Sequence, residues 1–226
     1  MMMRLNKYIA ENTGKSRREA DELISQGKVK VSSEIASLGQ QISKDDKVFI
    51  NNKPIENRKD HTTIILNKPV GYLSSRRTQG DNPTIYELLP KELKDLKTAG
   101  RLDKDSSGLM LLSTDGDLIQ KLTHPRFKKT KIYEIKLNKE LEPIHQQMIS
   151  DIGVDLADGK SQLYLEKISN KPNDFMWRVT MHEGRNRQIR RTFNTLGYKV
   201  INLHRIQIGP HTLNNIESGK FQKTEV

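Results

Sequence analysis

Residues 99–118 read AGRLDKDSSGLMLLSTDGDL. A polar turn rich in acids and serines runs directly into the apolar segment LMLL, which predicts a turn followed by a buried strand. One carboxylate, Asp103, lies in this turn between Arg101 and Lys104. Three kinds of structure place an acid in such a position: a calcium-binding loop, an ordinary tight turn, or a catalytic site.

The calcium interpretation starts from DKDSSG, which matches the opening of an EF-hand loop. That loop requires a bidentate glutamate at its twelfth position. Counting from Asp103, the twelfth position is Thr114, and the apolar run fills the places where further ligands belong. Calcium is therefore excluded, while the ordinary turn and the catalytic group both stay open.

The composition narrows the class of partner. The chain has 226 residues with 39 Lys and Arg against 28 Asp and Glu, a net charge of +11, which favours a nucleic acid or an anionic membrane surface. No apolar run approaches the roughly 20 residues of a membrane span, and the first residues do not resemble a secretory signal. Without cysteine, disulfides and thiolate metal sites are excluded. We predict a cytoplasmic basic protein with no membrane partner.

The N-terminal segment, residues 4–31, reads RLNKYIAENTGKSRREADELISQGKVKV. Ser16 followed by Glu19 is a capping box that predicts a helix start, and Gly27 suits the end of that helix. The short strands KVKV and KVFI follow. Together these patterns predict a small domain of helices and short strands over residues 4–55.

Basic residues concentrate in and beside the two helices of this segment. They are Arg4, Lys7, Lys15, Arg17, Arg18, Lys28 and Lys30. A solvated helix face is the ordinary interpretation of such a run. The segment also resembles the RNA-binding domain first seen in ribosomal protein S4, with its SRREA helix start and its IxxGxVxV exit. This resemblance implies that these residues bind RNA phosphates.

A predicted linker, residues 56–61, leads to a second domain over residues 62–226. TIILNKPVG reads as a buried strand stopped by proline and glycine, and KIYEIKL alternates apolar and charged residues with the period of a half-buried strand. Amphipathic helical segments lie between the strands. Because strands and helices mix without a regular β-α-β rhythm, the sequence predicts an α+β fold.

The segment EGRNRQIRR, residues 183–191, is the most basic stretch of the second domain. On a helix, Arg187, Arg190 and Arg191 share one face, which is typical of a phosphate-binding surface. One of these arginines can also turn inward and hold a carboxylate in bidentate fashion. The residues alone leave both interpretations open.

Five segments in order carry a resemblance over nearly the whole chain: NKPVG, GRLDKDSSGL, KIYEI, EGRNRQIRR and LHRIQIG. The chain resembles the bacterial pseudouridine synthases of the RsuA/RluB/RluE/RluF group, which modify ribosomal RNA. The resemblance implies a catalytic domain built on a mixed, mostly antiparallel sheet, a reaction without cofactor or metal, and a ribosomal RNA partner. EGRNRQIRR and the ending LHRIQIGPHTLNN look closer to the large-subunit enzymes, and we expect a monomer.

The resemblance also implies roles for individual residues. Asp103 in GRLD is the catalytic carboxylate, and Arg190 pairs with it and keeps it ionised in an apolar setting. Tyr133 stacks on the flipped base, Leu203 closes the pocket, and Arg101 holds a phosphate or fills the gap left by the base. The remaining basic residues implied to bind RNA in this domain are Arg185, Arg187 and Arg191.

Two other functions are compatible with parts of the sequence. A non-catalytic rRNA-binding or ribosome-assembly factor would keep the fold without the chemistry. A hydrolase of the glycosidic bond would need a second acid, and Asp105 is the nearest candidate. Whether Asp103 adds to the sugar or abstracts a sugar proton stays open.

Overall fold

The computed structural model describes residues 2–43, 45–57, 60–169 and 171–224. Within the predicted linker, residues 58 and 59 lie outside the described residues. In the part of the chain that is described, none of the helices is both long and apolar enough to span a bilayer.

The N-terminal unit consists of two helices and six short strands. In chain order these are β1 (Met3–Arg4), α1 (Leu5–Thr13), α2 (Arg17–Ser25), β2 (Val29–Val31), β3 (Glu34–Ile35), β4 (Gln41–Ile42), β5 (Val48–Ile50) and β6 (Lys53–Pro54). Strands β3-β2-β5-β6 form an antiparallel sheet, and β1 pairs with β4.

The predicted capping box starts α2. The Ser16 hydroxyl accepts a hydrogen bond from the Glu19 amide at 3.2 Å, and the Glu19 carboxylate accepts one from the Ser16 amide at 2.6 Å. Gly27 follows the helix with a φ of +67°, the left-handed conformation expected after a helix end. Leu5 and Ile9 of α1 are buried in one apolar cluster with residues of α2 and the sheet.

The C-terminal unit contains eleven strands and three α-helices within the described residues. In chain order these are β7 (Thr63–Lys68), β8 (Lys97–Thr98), β9 (Ser107–Ser113), α3 (Gly116–Thr123), β10 (Lys131–Leu137), α4 (Pro143–Gln147), β11 (Val154–Leu156), β12 (Gly159–Ser161), β13 (Tyr164–Lys167), β14 (Met176–Met181), α5 (Gln188–Thr195), β15 (Val200–Ile208), β16 (His211–Thr212) and β17 (Phe221–Lys223). Single 3-10 turns span Ile85–Leu88, Lys91–Leu93 and Pro125–Phe127, and a π-helical turn, Met148–Ile152, continues α4.

Nine of these strands form one twisted sheet in the order β13-β14-β10-β15-β9-β7-β17, with β16 added to β15 and β8 to β9. All pairings are antiparallel except that of β9 with β15. The α+β class and the mixed, mostly antiparallel sheet are thereby confirmed.

Strand β9 explains the apolar run LMLL. Met110 and Leu112 pack into the large cluster on one face of the sheet, while Leu109 and Leu111 pack with α3 residues on the other. A strand that is covered on both faces reads as a continuous apolar segment rather than an alternating one.

The two units meet through polar contacts between α1 and the C-terminal unit. Lys7 Nζ lies 2.6 Å from a carboxylate oxygen of Asp117 at the start of α3, and Lys97 Nζ donates to the carbonyl of Ala10 at 2.8 Å. In the described ranges the apolar clusters of the two units are separate. The structure thus places Lys7 at this junction, where Asp117 pairs with the charge that was predicted to bind RNA.

Gly108 is required where β9 runs parallel to β15. It has a φ of +103°, and a Cβ atom added there would lie 2.6 Å from the backbone nitrogen of Arg205 and closer still to its carbonyl oxygen. Backbone atoms of a central strand cannot move aside without breaking the sheet. The glycine of the segment GRLDKDSSGL therefore reflects a steric requirement of the fold.

We expect Gly108→Ala to lower the free energy of unfolding by about 3 kcal/mol or more, since backbone overlap adds to the strain of a positive φ. Gly197→Ala is the matched control, because Gly197 also has a positive φ but has no atom within 4 Å of an added Cβ. Its cost should stay near 1 kcal/mol. Urea unfolding followed by the single tryptophan, Trp177 in the core of this unit, measures both. Equal losses in the two variants would contradict the steric argument.

Candidate active site

A cavity of about 330 Å³ opens where the turn before β9 faces β10, β15 and the loop before α5. This volume is in the range of small-ligand pockets. The five residues for which the sequence predicts catalysis or substrate binding all line it: Arg101, Asp103, Tyr133, Arg190 and Leu203. The structure therefore brings together side chains from four separate segments of the chain.

The backbone of the Asp103 turn is held by the buried side chain of Lys68. Its amine donates to the carbonyl oxygens of Asp103 at 3.1 Å, Ser106 at 2.6 Å and Pro69 at 3.0 Å. The Lys68 side chain is completely inaccessible to solvent. Lys68 was not identified from the sequence. The pattern that indicates its role is a lysine at the end of a strand whose other residues are buried on both faces.

Two further contacts from the segment after β7 fix the same turn. The Ser74 hydroxyl donates to the carbonyl of Leu102 at 2.7 Å and accepts from its amide at 3.1 Å. The Gly71 amide donates to the carbonyl of Lys104 at 2.8 Å. The segment NKPVGYLSS thus holds the backbone groups of the turn and makes no hydrogen bond to the Asp103 carboxylate within the described residues.

The Asp103 carboxylate is partly exposed and contacts one arginine. Its Oδ2 atom accepts a hydrogen bond from Arg187 Nη1 at 3.3 Å, and 37% of its side chain is accessible. Within the described residues, Oδ1 has no hydrogen-bond partner. One oxygen is therefore oriented by a cation while the other is available to a substrate.

The pairing of Arg190 with Asp103 is a correction to the sequence prediction. Arg190 instead donates to the carbonyl oxygens of Asp105 at 2.8 Å and Val200 at 2.7 Å. Arg187 reaches Asp103 because it precedes α5 in a left-handed conformation, with a φ of +46°, that turns its side chain out of the helical series. Arg190 lies one turn later and contacts the backbone and side chain of Asp105 and the hydroxyl of Ser106, but not the Asp103 carboxylate.

Asp105 forms the strongest ion pair of the site. Arg187 donates to both of its carboxylate oxygens at 3.0 Å, and Arg190 Nε lies 3.3 Å from one of them. Hydrogen bonding from Arg187 holds the pKa of the Asp105 carboxyl below its ordinary value. Asp105 is consequently ionised at neutral pH.

Arg185 and Arg191, predicted to bind RNA, are occupied by internal acceptors. Arg191 makes a bidentate pair with Asp158 at 3.0 and 2.7 Å. Arg185 donates to the Asp158 carboxylate and to the carbonyl oxygens of Asp158, Gly159 and Lys160, each at 2.8–2.9 Å. These two arginines order the loop before α5, and Arg191 points away from Arg187 rather than sharing a face with it.

Tyr133 and Leu203 form the apolar wall of the cavity. Tyr133 lies on β10 and is 7% exposed, and Leu203 lies on the adjacent strand β15 and is 6% exposed. Directly opposite Tyr133 on β15 is Arg205, whose guanidinium carbon is 6.0 Å from the centre of the tyrosine ring. Arg205 was not identified from the sequence.

The basic residues of the N-terminal unit, apart from Lys7, stay on its surface. Arg4, Lys15, Arg17, Arg18 and Lys28 are exposed and Lys30 is half-buried. None of them forms an ion pair with a described residue, although Arg17 donates to the side-chain oxygen of Asn6 at 3.1 Å. Their charges are therefore available to a polyanion.

Comparison with known proteins identifies the two units. The family model for RNA pseudouridylate synthase matches residues 62–195, and the model for the S4 domain matches residues 3–48. The chain belongs to the RNA pseudouridine synthase family. It is thus an isomerase that converts uridine in RNA to pseudouridine, with an S4 domain as its N-terminal unit.

Relatives in this family align over almost the whole chain. The ribosomal large subunit pseudouridine synthase B of Bacillus subtilis is 33% identical, covering 96% of this chain and 90% of the relative. The ribosomal small subunit pseudouridine synthase A of Haemophilus influenzae is 35% identical, with 97% and 95% covered. A pseudouridylate synthase crystal structure superimposes with a TM-score of 0.69 at 34% identity, covering 99% of this chain and 96% of that one.

Burial lowers the pKa of the Lys68 amine from its ordinary 10.5 to about 8, although Asp105 and Asp103 nearby partly oppose this. Between pH 8 and 10.5 the folded protein holds the amine neutral while the unfolded chain holds it protonated. Unfolding then takes up a proton, so Lys68 makes the free energy of unfolding rise with pH in this window.

We compare the free energy of unfolding of the wild type with that of Lys68→Met. The difference, wild type minus variant, should rise by about 1.4 kcal/mol per pH unit between pH 8 and 10.5. The difference should be constant at lower pH, where both states are protonated. Urea titrations at a series of pH values measure it. The exposed Lys94, substituted in the same way, should give a difference that does not change with pH. The same flat result for Lys68→Met would contradict a depressed pKa.

Proposed function

We propose that this enzyme modifies a uridine of ribosomal RNA and that Asp103 is its catalytic carboxylate. The observation that supports this most directly is the cavity itself. It holds a carboxylate with one unpartnered oxygen beside an aromatic side chain on which a base can stack. The relatives named above act on ribosomal RNA according to their names.

The reaction breaks the bond between ribose C1′ and uracil N1 and rejoins C1′ to a carbon of the same base. An ionised carboxylate beside the sugar is required whether it adds to C1′ or removes a sugar proton. Arg187 donates a hydrogen bond to the Asp103 carboxylate at 3.3 Å and orients one of its two oxygens. Arg190 supports the same turn through its backbone and contributes a second positive charge.

The wall formed by Tyr133 and Leu203 receives the extracted base. Stacking a base on an aromatic ring contributes about 1–3 kcal/mol, which offsets much of the few kcal/mol needed to remove a base from its stack. Arg101 at the cavity entrance is placed to bind a phosphate of the flipped nucleotide or to occupy the gap that it leaves.

RNA binds across two basic surfaces in this proposal. The first is the exposed set on the S4 domain, and the second is a rim of the cavity that the sequence analysis did not identify. The rim residues are His124, Lys129 and Lys131. A basic domain bound to one RNA region raises the effective concentration of the active site at nearby uridines.

Hydrolysis of the glycosidic bond is disfavoured by the state of Asp105. A hydrolase needs a protonated acid to donate to the leaving group. Asp105 is the second carboxyl group of this turn, and its bidentate pair with Arg187 keeps it ionised. It therefore has no proton to donate near neutral pH.

The specific target that we propose is a uridine of large-subunit ribosomal RNA, modified by a monomer in the cytoplasm. EGRNRQIRR and LHRIQIGPHTLNN support the large subunit, whereas the relatives include enzymes named for each subunit. Pseudouridine mapping of both ribosomal RNAs in a strain without this gene tests it. A single large-subunit site that disappears supports the proposal, and a small-subunit site contradicts it.

Asp103→Asn should remove the modification while RNA binding is retained, because the amide keeps the size of the side chain and loses its charge. We expect the single-turnover rate constant to fall by at least about a thousandfold, as for other essential catalytic groups. The matched control is Asp155→Asn, an exposed acid on β11, which should keep the wild-type rate. Restoration of the mark in the deletion strain by Asp103→Asn would exclude a catalytic role.

Neutralising Arg17 and Arg18 together should weaken RNA binding and leave the rate constant at saturating RNA unchanged. Each lost phosphate contact lowers the slope of log affinity against log salt by about one. Lys220→Gln, an exposed substitution on the C-terminal unit, should change neither quantity. An unchanged salt slope in the double variant would show that α2 does not face RNA.

A further inference from the structure

Arg205 is a buried cation of the cavity that the proposed mechanism does not yet use. Its side chain is 3% exposed, and no carboxylate of the described residues lies within ion-pairing distance of it. Its polar contacts are a hydrogen bond from Nε to the Leu109 carbonyl at 2.8 Å and one from Nη2 to the Met110 sulfur at 3.3 Å. A buried charge without a counter-ion is costly, so it indicates a site that binds an anion or a strong acceptor.

An irregularity in the sheet aims this guanidinium at the cavity. Between β10 and β15 the register shifts next to Tyr133, because Gln207 pairs with Ile132 while Arg205 pairs with Tyr133. Ile206 is the extra residue of this bulge. Bulges re-aim side chains beside functional sites, and this one leaves Leu203 and Arg205 both buried on the cavity side.

The remaining nitrogen of Arg205 is free to meet a ligand. Nη1 makes no hydrogen bond to a residue in the described ranges. It is also not enclosed by protein atoms, so a ligand can reach it. Arg205 also lines the cavity. A base stacked on the Tyr133 ring would then have one edge beside the guanidinium, whose carbon lies 6.0 Å from the ring centre.

The chemistry of the reaction supplies an acceptor at that edge. When the bond between C1′ and N1 breaks, its electron pair stays on the base, which becomes a uracil anion with charge on N1, O2 and O4. The anion then rotates, a base carbon bonds to C1′, and the proton on that carbon is lost as N1 gains one. We propose that Arg205 donates a hydrogen bond to a carbonyl oxygen of the detached base and stabilises this anion.

A phosphate is a poorer occupant of the same position. Arg205 lies at the floor of the cavity beside Tyr133 and Leu203, where a phosphodiester with its two strand connections would have to be buried together with both riboses. Arg101 is exposed and suits a phosphate better. The inference rests on the proposed function, because it assigns a role within that same reaction.

The first test is Arg205→Met, which keeps an unbranched, though shorter, side chain and removes the donors. We expect the single-turnover rate constant to fall about 100-fold or more, the scale of losing one donor to a developing anion, with the RNA dissociation constant changed less than about threefold. Arg205→Lys should restore part of the rate. Arg178→Met, on β14 and separated from β15 by β10, is paired with Glu134 and Glu166 away from the cavity and should keep the wild-type rate.

The second test separates a base contact from a phosphate contact or a structural role. RNAs are prepared with 2-thiouridine or 4-thiouridine at the target, since sulfur is a weaker hydrogen-bond acceptor than oxygen. Wild-type enzyme should show a rate change at one of these positions that Arg205→Met does not show. Intrinsic effects of sulfur on the leaving group are common to all variants and cancel in this comparison.

Each outcome has one meaning. Coupling at one thio position supports the inference and identifies the oxygen. Equal thio effects in all variants overturn it, and a lowered salt slope in Arg205→Met then assigns the side chain to a phosphate instead. If Arg205→Met is unfolded by Trp177 fluorescence, Arg205→Leu, which also lacks a donor, carries the same comparison. Failure of the wild type to convert uridine in this RNA contradicts the proposed function, whereas wild-type rates in both Arg205 variants contradict only the role of Arg205.

Discussion

The buried amine of Lys68 is the contact on which the geometry of the cavity depends. A charged amine inside a protein is tolerated only when its hydrogen bonds are satisfied, and here three carbonyl oxygens surround it. Two of those oxygens belong to the turn that carries Asp103. The position of the carboxylate is therefore fixed relative to β7, and through β7 to the whole sheet, without Lys68 contacting the carboxylate itself.

The arginine-rich loop is ordered by acids of the protein before it meets RNA. Asp158 holds Arg185 and Arg191, and Asp105 holds Arg187. Groups that are already oriented need not be immobilised when substrate binds, which lowers the entropic cost of reaching the reactive geometry. The high positive charge of this segment thus serves first to build the site, and only the part left unpaired is available to phosphates.

Local patterns in the sequence were sufficient for much of the fold. The capping box of Ser16 and Glu19, the alternation in KIYEIKL and the apolar run in β9 each depend on neighbours within a few residues, and each is present as predicted. The family resemblance placed five side chains that do line one cavity. Predictions of this kind succeed because helix starts and half-buried strands are determined locally.

The errors and omissions concern conformations and pairings that have no local signature. A helical projection assumes that Arg187 belongs to the helix, but its left-handed φ directs it elsewhere and makes it, rather than Arg190, the partner of Asp103. The bulge that aims Arg205 depends on the register between two strands that are distant in sequence. Lys7 meets Asp117 across 110 positions, so its role at the junction is visible only in three dimensions.

That junction also determines how the S4 domain and the catalytic domain respond to RNA. It consists of contacts between polar groups, with separate apolar clusters on either side. Exposed ion pairs contribute at most about 1 kcal/mol each, against roughly 8–12 kcal/mol for a micromolar to nanomolar complex. The angle between the domains is therefore inexpensive to change. The separation between the two basic surfaces is therefore held by a few polar contacts and not by a shared apolar core.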